Sequence, residues 1–102
     1  MDIEIPDTIK VGGLDYTVIF GRSLRLAGNL RKGETRYAEQ VIAIDDTALQ
    51  QQINEVMLHE LLHAVDNVYN ADCLTEDEVN RLAHGLHQVF EQLGINFISK
   101  DK

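Results

Sequence analysis

The chain has 102 residues, 44% of them hydrophobic, and carries a formal charge of −8. That length builds one domain around one core, near the small end of the usual range. The acidic balance argues against a nucleic-acid partner and against an anionic membrane surface, because both kinds of binder concentrate Lys and Arg; the surplus carboxylates read as solubility.

In chain order, residues 1–45 read as a sheet half. Ile3 and Ile5 alternate with acids and form a short edge strand that Pro6 ends. Ile9 and Val11, then Leu14, Tyr16, Val18 and Phe20, make two alternating runs around Gly12-Gly13, the pattern of a hairpin. Residues 21–35 have weak periodicity and read as a loop with one helical turn at Leu24–Leu30. Tyr37 to Asp45 contains Val41-Ile42-Ala43-Ile44, a third main strand. Residues 46–94 read as a helix half. Thr47-Ala48-Leu49-Gln50 has the spacing of a capping box that opens a long helix. Ile53, Met57, Leu61, Ala64, Val65 and Val68 give that helix its apolar face, and Asn70-Ala71-Asp72 ends it. Thr75-Glu76-Asp77-Glu78 is a second capping box. Val79, Leu82, Ala83, Leu86, Phe90 and Leu93 form the stripe of a second helix, which Gly94 stops. The tail 95–102 is a short strand or a loose end. The expected fold is therefore α+β: a small, mostly antiparallel sheet of three to four strands against two helices, in a single domain over residues 1–102. The acidic, alternating start Met1-Asp2-Ile3-Glu4 does not read as a signal peptide. No apolar run reaches membrane-spanning length. Cys73 is the single cysteine, so no internal disulfide forms; this fits a reducing, cytoplasmic compartment.

Within the first helix stands His59-Glu60-Leu61-Leu62-His63, an H-E-x-x-H motif. Residues four apart share a helix face with Cβ atoms ~5–6 Å apart, so His59 and His63 can hold one zinc ion (Zn2+). Glu60 lies one position on, where its carboxylate reaches a metal-bound water as a general base. Catalytic zinc sites use three protein ligands. The extension with Gly three residues after the second His and an acid or His three further on is absent, since Asp66 and Tyr69 occupy those places. A glutamate at the start of the second helix is the next option, because a helix pair joined by a short loop packs roughly antiparallel. Glu76 and Glu78 lie at equal angles from the apolar stripe, on opposite sides. Glu78 already closes a capping box, and Asn80 and His87 lie on the Glu76 side as supporting groups, which favours Glu76; Glu78 is the alternative.

His59–His63 followed by Glu76-x-x-Val79-Asn80-x-Leu82-Ala83 resembles the short gluzincin-type zinc metallopeptidases. It is similar to the minigluzincins, to small phage- or prophage-encoded metallopeptidases, and to the core of the ImmA/IrrE-like proteins, which carry E-x-x-A-N-x-F-A in the second helix. Val79 and Leu82 replace the Ala and Phe of that pattern. The resemblance spans roughly residues 33–93 and implies that His59, His63 and Glu76 are zinc ligands, that Glu60 is the catalytic base, and that the setting is bacterial or phage. Thermolysin-like relatives have an Asp four after the ligand glutamate, where this chain has Asn80.

The expected function is zinc-dependent peptide-bond hydrolysis on a narrow or dedicated protein target, with Glu60 taking a proton from water and passing it to the leaving amine. Tyr37, His84, His87 and Tyr69 are candidates for the oxyanion donor, and Asp66 for a carboxylate behind an imidazole. The peptide is expected along the edge of the strand near residues 37–45, with Asn96-Phe97-Ile98 folding back across the cleft as a plug. The alternative is a zinc-binding recognition or assembly module without catalysis.

Overall fold

The computed structural model describes residues 1–21, 25–26, 29–30 and 32–99, with only the backbone described at 25–26 and 29–30. The chain runs β1 (Asp2–Glu4), β2 (Thr8–Val11), β3 (Leu14–Gly21), β4 (Arg25–Leu26), β5 (Asn29–Leu30), β6 (Gly33–Arg36), β7 (Val41–Asp45), α1 (Gln50–Tyr69), α2 (Glu76–Gln92) and β8 (Asn96–Ile98). It is α+β, as the periodicities indicate. The main sheet has the order β2-β3-β7-β6. Its β2–β3 and β6–β7 pairings are antiparallel and its β3–β7 pairing is parallel, so the sheet is mixed.

The β2–β3 hairpin turns at Gly12 and Gly13, both at positive φ. Gly12 also admits α1 at close range, since a Cβ there would meet Val68 Cγ1 at 2.2 Å. β7 is the central strand, and Ile42, Ala43 and Ile44 are fully buried. Register places Val18 beside Ile42 and Phe20 beside Ile44, so one sheet face presents a continuous apolar surface. Tyr16, Val18, Ile42 and Ile44 on the sheet join Ile53, Met57 and Ala64 of α1 in one core, and full burial of each large aliphatic member contributes about 1.5–3 kcal/mol.

Several expectations shift. The third strand is confined to 41–45, because Tyr37–Gln40 form the β6–β7 turn, with Gln40 at φ 55. β6 is an additional strand that the weak periodicity of residues 21–35 concealed. The helical turn expected at 24–30 is replaced by the antiparallel pair β4–β5 where that stretch is described; residues 22–24, 27–28 and 31 lie outside the described residues. β1 does not join the main sheet. It pairs in parallel with β8, Ile3 beside Phe97, which gives the tail a strand partner, and Asn96, Phe97 and Ile98 do not line the cleft that holds His59 and His63, contrary to the expected plug. Gln50 and Asn54 of α1 bind this small sheet through Phe97 O and Phe97 N.

α1 begins two residues later than the expected box places it. Thr47 turns back to Asp45, donating its N–H and hydroxyl to Oδ1 at 2.9 and 2.7 Å. Leu49 becomes the N-cap, and Gln52 Oε1 accepts the Leu49 N–H at 2.9 Å. The second box forms as expected: the Thr75 hydroxyl accepts from Glu78 N at 3.1 Å and Glu78 Oε1 accepts from Thr75 N at 2.9 Å. That pairing holds the Glu78 carboxyl below its ordinary range. Gly94, at φ 74, ends α2. Two apolar faces are less covered than the stripes suggest: Val65 on α1 and Leu82, Leu86 and Leu93 on α2 are exposed. No helix among the described residues is long and apolar enough to cross a membrane.

Candidate metal centre

α1 and α2 are antiparallel neighbours, and their connection places the first residue of α2 beside the middle of α1. Asp66 sets that geometry. It is buried, and its carboxylate accepts from Asn70 Nδ2 at 2.9 Å, Cys73 N at 3.1 Å and Leu74 N at 3.2 Å. Ala71 and Asp72 inside the loop take φ values of 54° and 55°. Non-glycine residues at such φ each carry ~1–2 kcal/mol of strain, which the Asp66 bonds offset. Asp66 is thus the organiser of the loop, and it neither anchors an imidazole nor sits as a solvated charge.

The loop delivers Glu76 to the histidine pair. His59 Nε2 lies 3.1 Å from His63 Nε2. Glu76 Oε1 lies 2.9 Å from His59 Nε2 and Oε2 lies 2.8 Å from His63 Nε2. Glu78 stays in its cap, on the other side of the helix start. A divalent cation fits this donor set. Each neutral imidazole has one lone pair, and both Nε2 atoms converge with a carboxylate on the same point. Tetrahedral zinc with ~2.05 Å bonds separates its ligand atoms by about 3.3 Å, so the trio needs to open by only a few tenths of an ångström. Among the described residues this is the only group of three such ligands that converges, with donor atoms all within 4.8 Å.

Glu60 lies beside the trio and is almost fully buried. The Thr35 hydroxyl stands 2.7 Å from its Oε1 and 3.0 Å from its backbone oxygen. A hydroxyl donates one hydrogen bond, and the carboxylate, the nearer and charged acceptor, receives it. Burial pushes the Glu60 carboxyl up, while the Thr35 bond and the two imidazoles act against that rise. Gly33 makes this approach of α1 to β6 possible, because a Cβ there would stand 2.4 Å from Val56 Cγ1 and 3.2 Å from Glu60 Cγ. Neither Thr35 nor Gly33 was legible as part of the site. Both fall in the stretch read as loop, and only recognising β6 as a strand would have exposed them.

The trio and Glu60 open into a cleft of about 710 Å³ whose other walls include Lys32, Thr35, Tyr37, Val56 and Asn80. Of the four candidate oxyanion donors, Tyr37 alone lines it. Its hydroxyl is pushed up to about 12 by desolvation first, then by Asp72, Asp66 and Glu60, so it holds its proton throughout the neutral range. His84 lines an adjoining pocket and pairs with Glu55. His87 pairs with Glu91 at 3.8 Å. Tyr69 lies near Gly12, at the far end of α1. Asn80 borders the cleft but hydrogen-bonds neither imidazole among the described residues, contrary to the supporting role expected for it.

The strand edge beside the cleft is β6. β7 is paired on both sides, so the edge expected near 37–45 is not free. The Asp45 N–H donates to Lys32 O at 2.7 Å, which fixes the alternation of the antiparallel pair: Glu34 and Arg36 point their backbone groups at β7, and Gly33 and Thr35 point theirs outward. Among the described residues no strand pairs with that outer edge. Searches of protein-family models, curated proteins and solved structures find no match to this chain.

Proposed function

We propose that the chain is a zinc-dependent peptidase with a narrow target. One observation carries the reading: two Nε2 atoms and one carboxylate converge within hydrogen-bond distance, next to a buried glutamate, on the floor of a cleft bordered by an open strand edge. A pure structural site has no need for a base at Glu60 or for access by an extended chain. The resemblance to the short gluzincin-type metallopeptidases assigns the same residues the same roles.

His59, His63 and Glu76 would hold the metal. Zinc supplies Lewis acidity, which polarises a carbonyl and acidifies water near neutral pH. Glu60 serves as the base. Thr35 occupies its Oε1, and Oε2 is the oxygen that receives the proton of the attacking water and returns it to the leaving amine. Its raised affinity for a proton brings it nearer the range a base needs at neutral pH. Tyr37 is the donor for the oxyanion that forms at the scissile carbonyl. The substrate adds to β6 as an extended strand, hydrogen-bonded to Gly33 and Thr35. The single cysteine supports a cytoplasmic setting.

The alternative, a zinc-binding module without catalysis, draws on the firm hold of Thr35 on Glu60. Metal quantification and Glu60→Gln separate the readings. Zinc should bind wild type at one per chain and be lost in His63→Ala and Glu76→Gln. Glu60→Gln should retain zinc and lose cleavage of peptide or casein substrates. Zinc retained in both ligand variants would overturn the site, and equal activity in Glu60→Gln would overturn the mechanism.

A further inference from the structure

The helix pair carries a second set of facing polar groups, one turn from the metal ligands. Glu55, His59 and His63 stand four residues apart along α1, and Glu76, Asn80 and His84 stand four apart along α2. Because the helices are antiparallel, the step from His59 back to Glu55 matches the step from Glu76 on to Asn80 and His84. Contact confirms the match, since Glu55 Oε1 meets His84 Nδ1 across the groove. A carboxylate only accepts, so Nδ1 carries the hydrogen. That bond holds Glu55 over a pocket of about 440 Å³ lined by Glu55, Asn80, Arg81 and His84. Glu55 and Asn80 also line the metal cleft, so the two spaces adjoin. A helical turn rises ~5.4 Å and a strand ~3.3 Å per residue, which puts the pocket within two substrate residues of the scissile bond.

The direction of β6 says which residues these are. Gly33 approaches Val56 and Thr35 meets Glu60, so β6 and α1 advance together, with Glu55 at the Lys32–Gly33 end of the cleft and Tyr37 at the other. A substrate antiparallel to β6, the more stable pairing, runs from Tyr37 towards Lys32, and its residues after the scissile bond pass Glu55. Among the described residues no hydrophobic side chain lines the pocket, which disfavours an apolar guest. Arg81 pairs with Asp77 on its own helix. Glu55 is 40% exposed, and an ionised carboxylate accepts about four hydrogen bonds, of which His84 supplies one. We infer that Glu55 selects Lys or Arg one or two residues after the scissile bond, with Asn80 Oδ1 as a second acceptor; this assignment deepens the peptidase reading and rests on it. Lys32 also lines the metal cleft and is the competing group, since it draws an acidic residue.

The zinc-loaded full chain is tested on a random peptide library, with the products sequenced by mass spectrometry. Lys and Arg at the first or second position after the cut should be favoured about tenfold. Glu55→Gln should bring that ratio close to one, and Glu55→Lys should turn it towards Asp and Glu. Binding gives a readout that needs no cleavage. Short blocked alanine peptides carrying one Lys or one Met are titrated into zinc-loaded Glu60→Gln and followed by amide shifts. The Lys peptide should move the signals of Glu55, Asn80 and His84 and bind about tenfold tighter, and adding Glu55→Gln should abolish the difference. Such binding without any cleavage by wild type would refute the hydrolase and uphold the pocket. Cleavage without the basic preference, a preference that survives Glu55→Gln, or an acidic preference lost in Lys32→Gln would overturn the pocket and leave the hydrolase standing. Equal binding of the two peptides together with no cleavage would overturn both.

Discussion

Gly33→Ala tests the link between a strand that periodicity did not reveal and the carboxylate at the centre of the site. The added methyl would lie 2.4 Å from Val56 Cγ1, 3.2 Å from the Ala43 carbonyl oxygen and 3.2 Å from Glu60 Cγ. Carbon atoms at rest are ~3.5–4.0 Å apart, so α1 and β6 must separate locally by about 1 Å. Overpacking of this kind costs about 1–3 kcal/mol. The same movement stretches the Thr35–Glu60 bond of 2.7 Å out of range, and a buried carboxylate that loses a donor costs a further ~1–3 kcal/mol. The expected loss is about 3 kcal/mol, or a drop of roughly 12–24 °C in Tm for a domain of this size. Urea denaturation with a double-mutant cycle is the assay. Val56→Ala removes the nearest clashing atom, so the double variant Gly33→Ala/Val56→Ala should recover at least about 1 kcal/mol relative to additivity. A Gly33→Ala chain within ~0.5 kcal/mol of wild type, or strict additivity in the cycle, would show that α1 does not ride on β6 as described.

Two further outcomes follow from the loop and from the cleft tyrosine. Asp66→Ala strands the N–H groups of Cys73 and Leu74 and should cost about 3 kcal/mol. Asp66→Asn keeps one acceptor oxygen and should cost about 1 kcal/mol; equal losses in the two variants, measured by chemical denaturation, would contradict the capping role. Tyr37 has its pKa raised from 10.0 to about 12. A folded-state value above the unfolded one gives stability that is complete below pH 10 and lost as pH climbs through about 12. Tyr37→Phe should therefore flatten the alkaline limb of stability against pH, and an unchanged limb would place the tyrosine in a less desolvated setting than the cleft provides.

What was legible in the sequence follows from where information is local. The β2–β3 hairpin, α2 with its Thr75–Glu78 cap, and the Gly94 stop each rest on residues within a few positions of one another, and each forms as read. β6 has no such signature: its burial comes from Ile42, Ile44 and α1, partners remote in sequence, and its key residues are a glycine and a threonine. The first capping box failed for a related reason. Thr47 had a stronger local acceptor in Asp45, and Gln52 was left to serve Leu49, whose side chain offers no oxygen. Asp66 was misjudged because its partners are the backbone N–H groups of Cys73 and Leu74, invisible in a pattern of side chains.

The choice between Glu76 and Glu78 shows how the two kinds of information combine. Angular position on the helix could not separate them, yet the capping box could, since a carboxylate bonded to the Thr75 N–H is committed to the helix end. The neighbouring carboxylate is then the one left to reach across to α1. Its arrival depends on a loop held by Asp66, and the base beside it depends on Thr35 and Gly33. The histidine pair supplies two of the three donor atoms and cannot complete the site alone. Besides Glu76, the chemistry proposed for this chain depends on three residues outside the motif: Asp66, which turns the chain, Thr35, which donates a hydrogen bond to Glu60, and Gly33, which has no side chain to obstruct the approach.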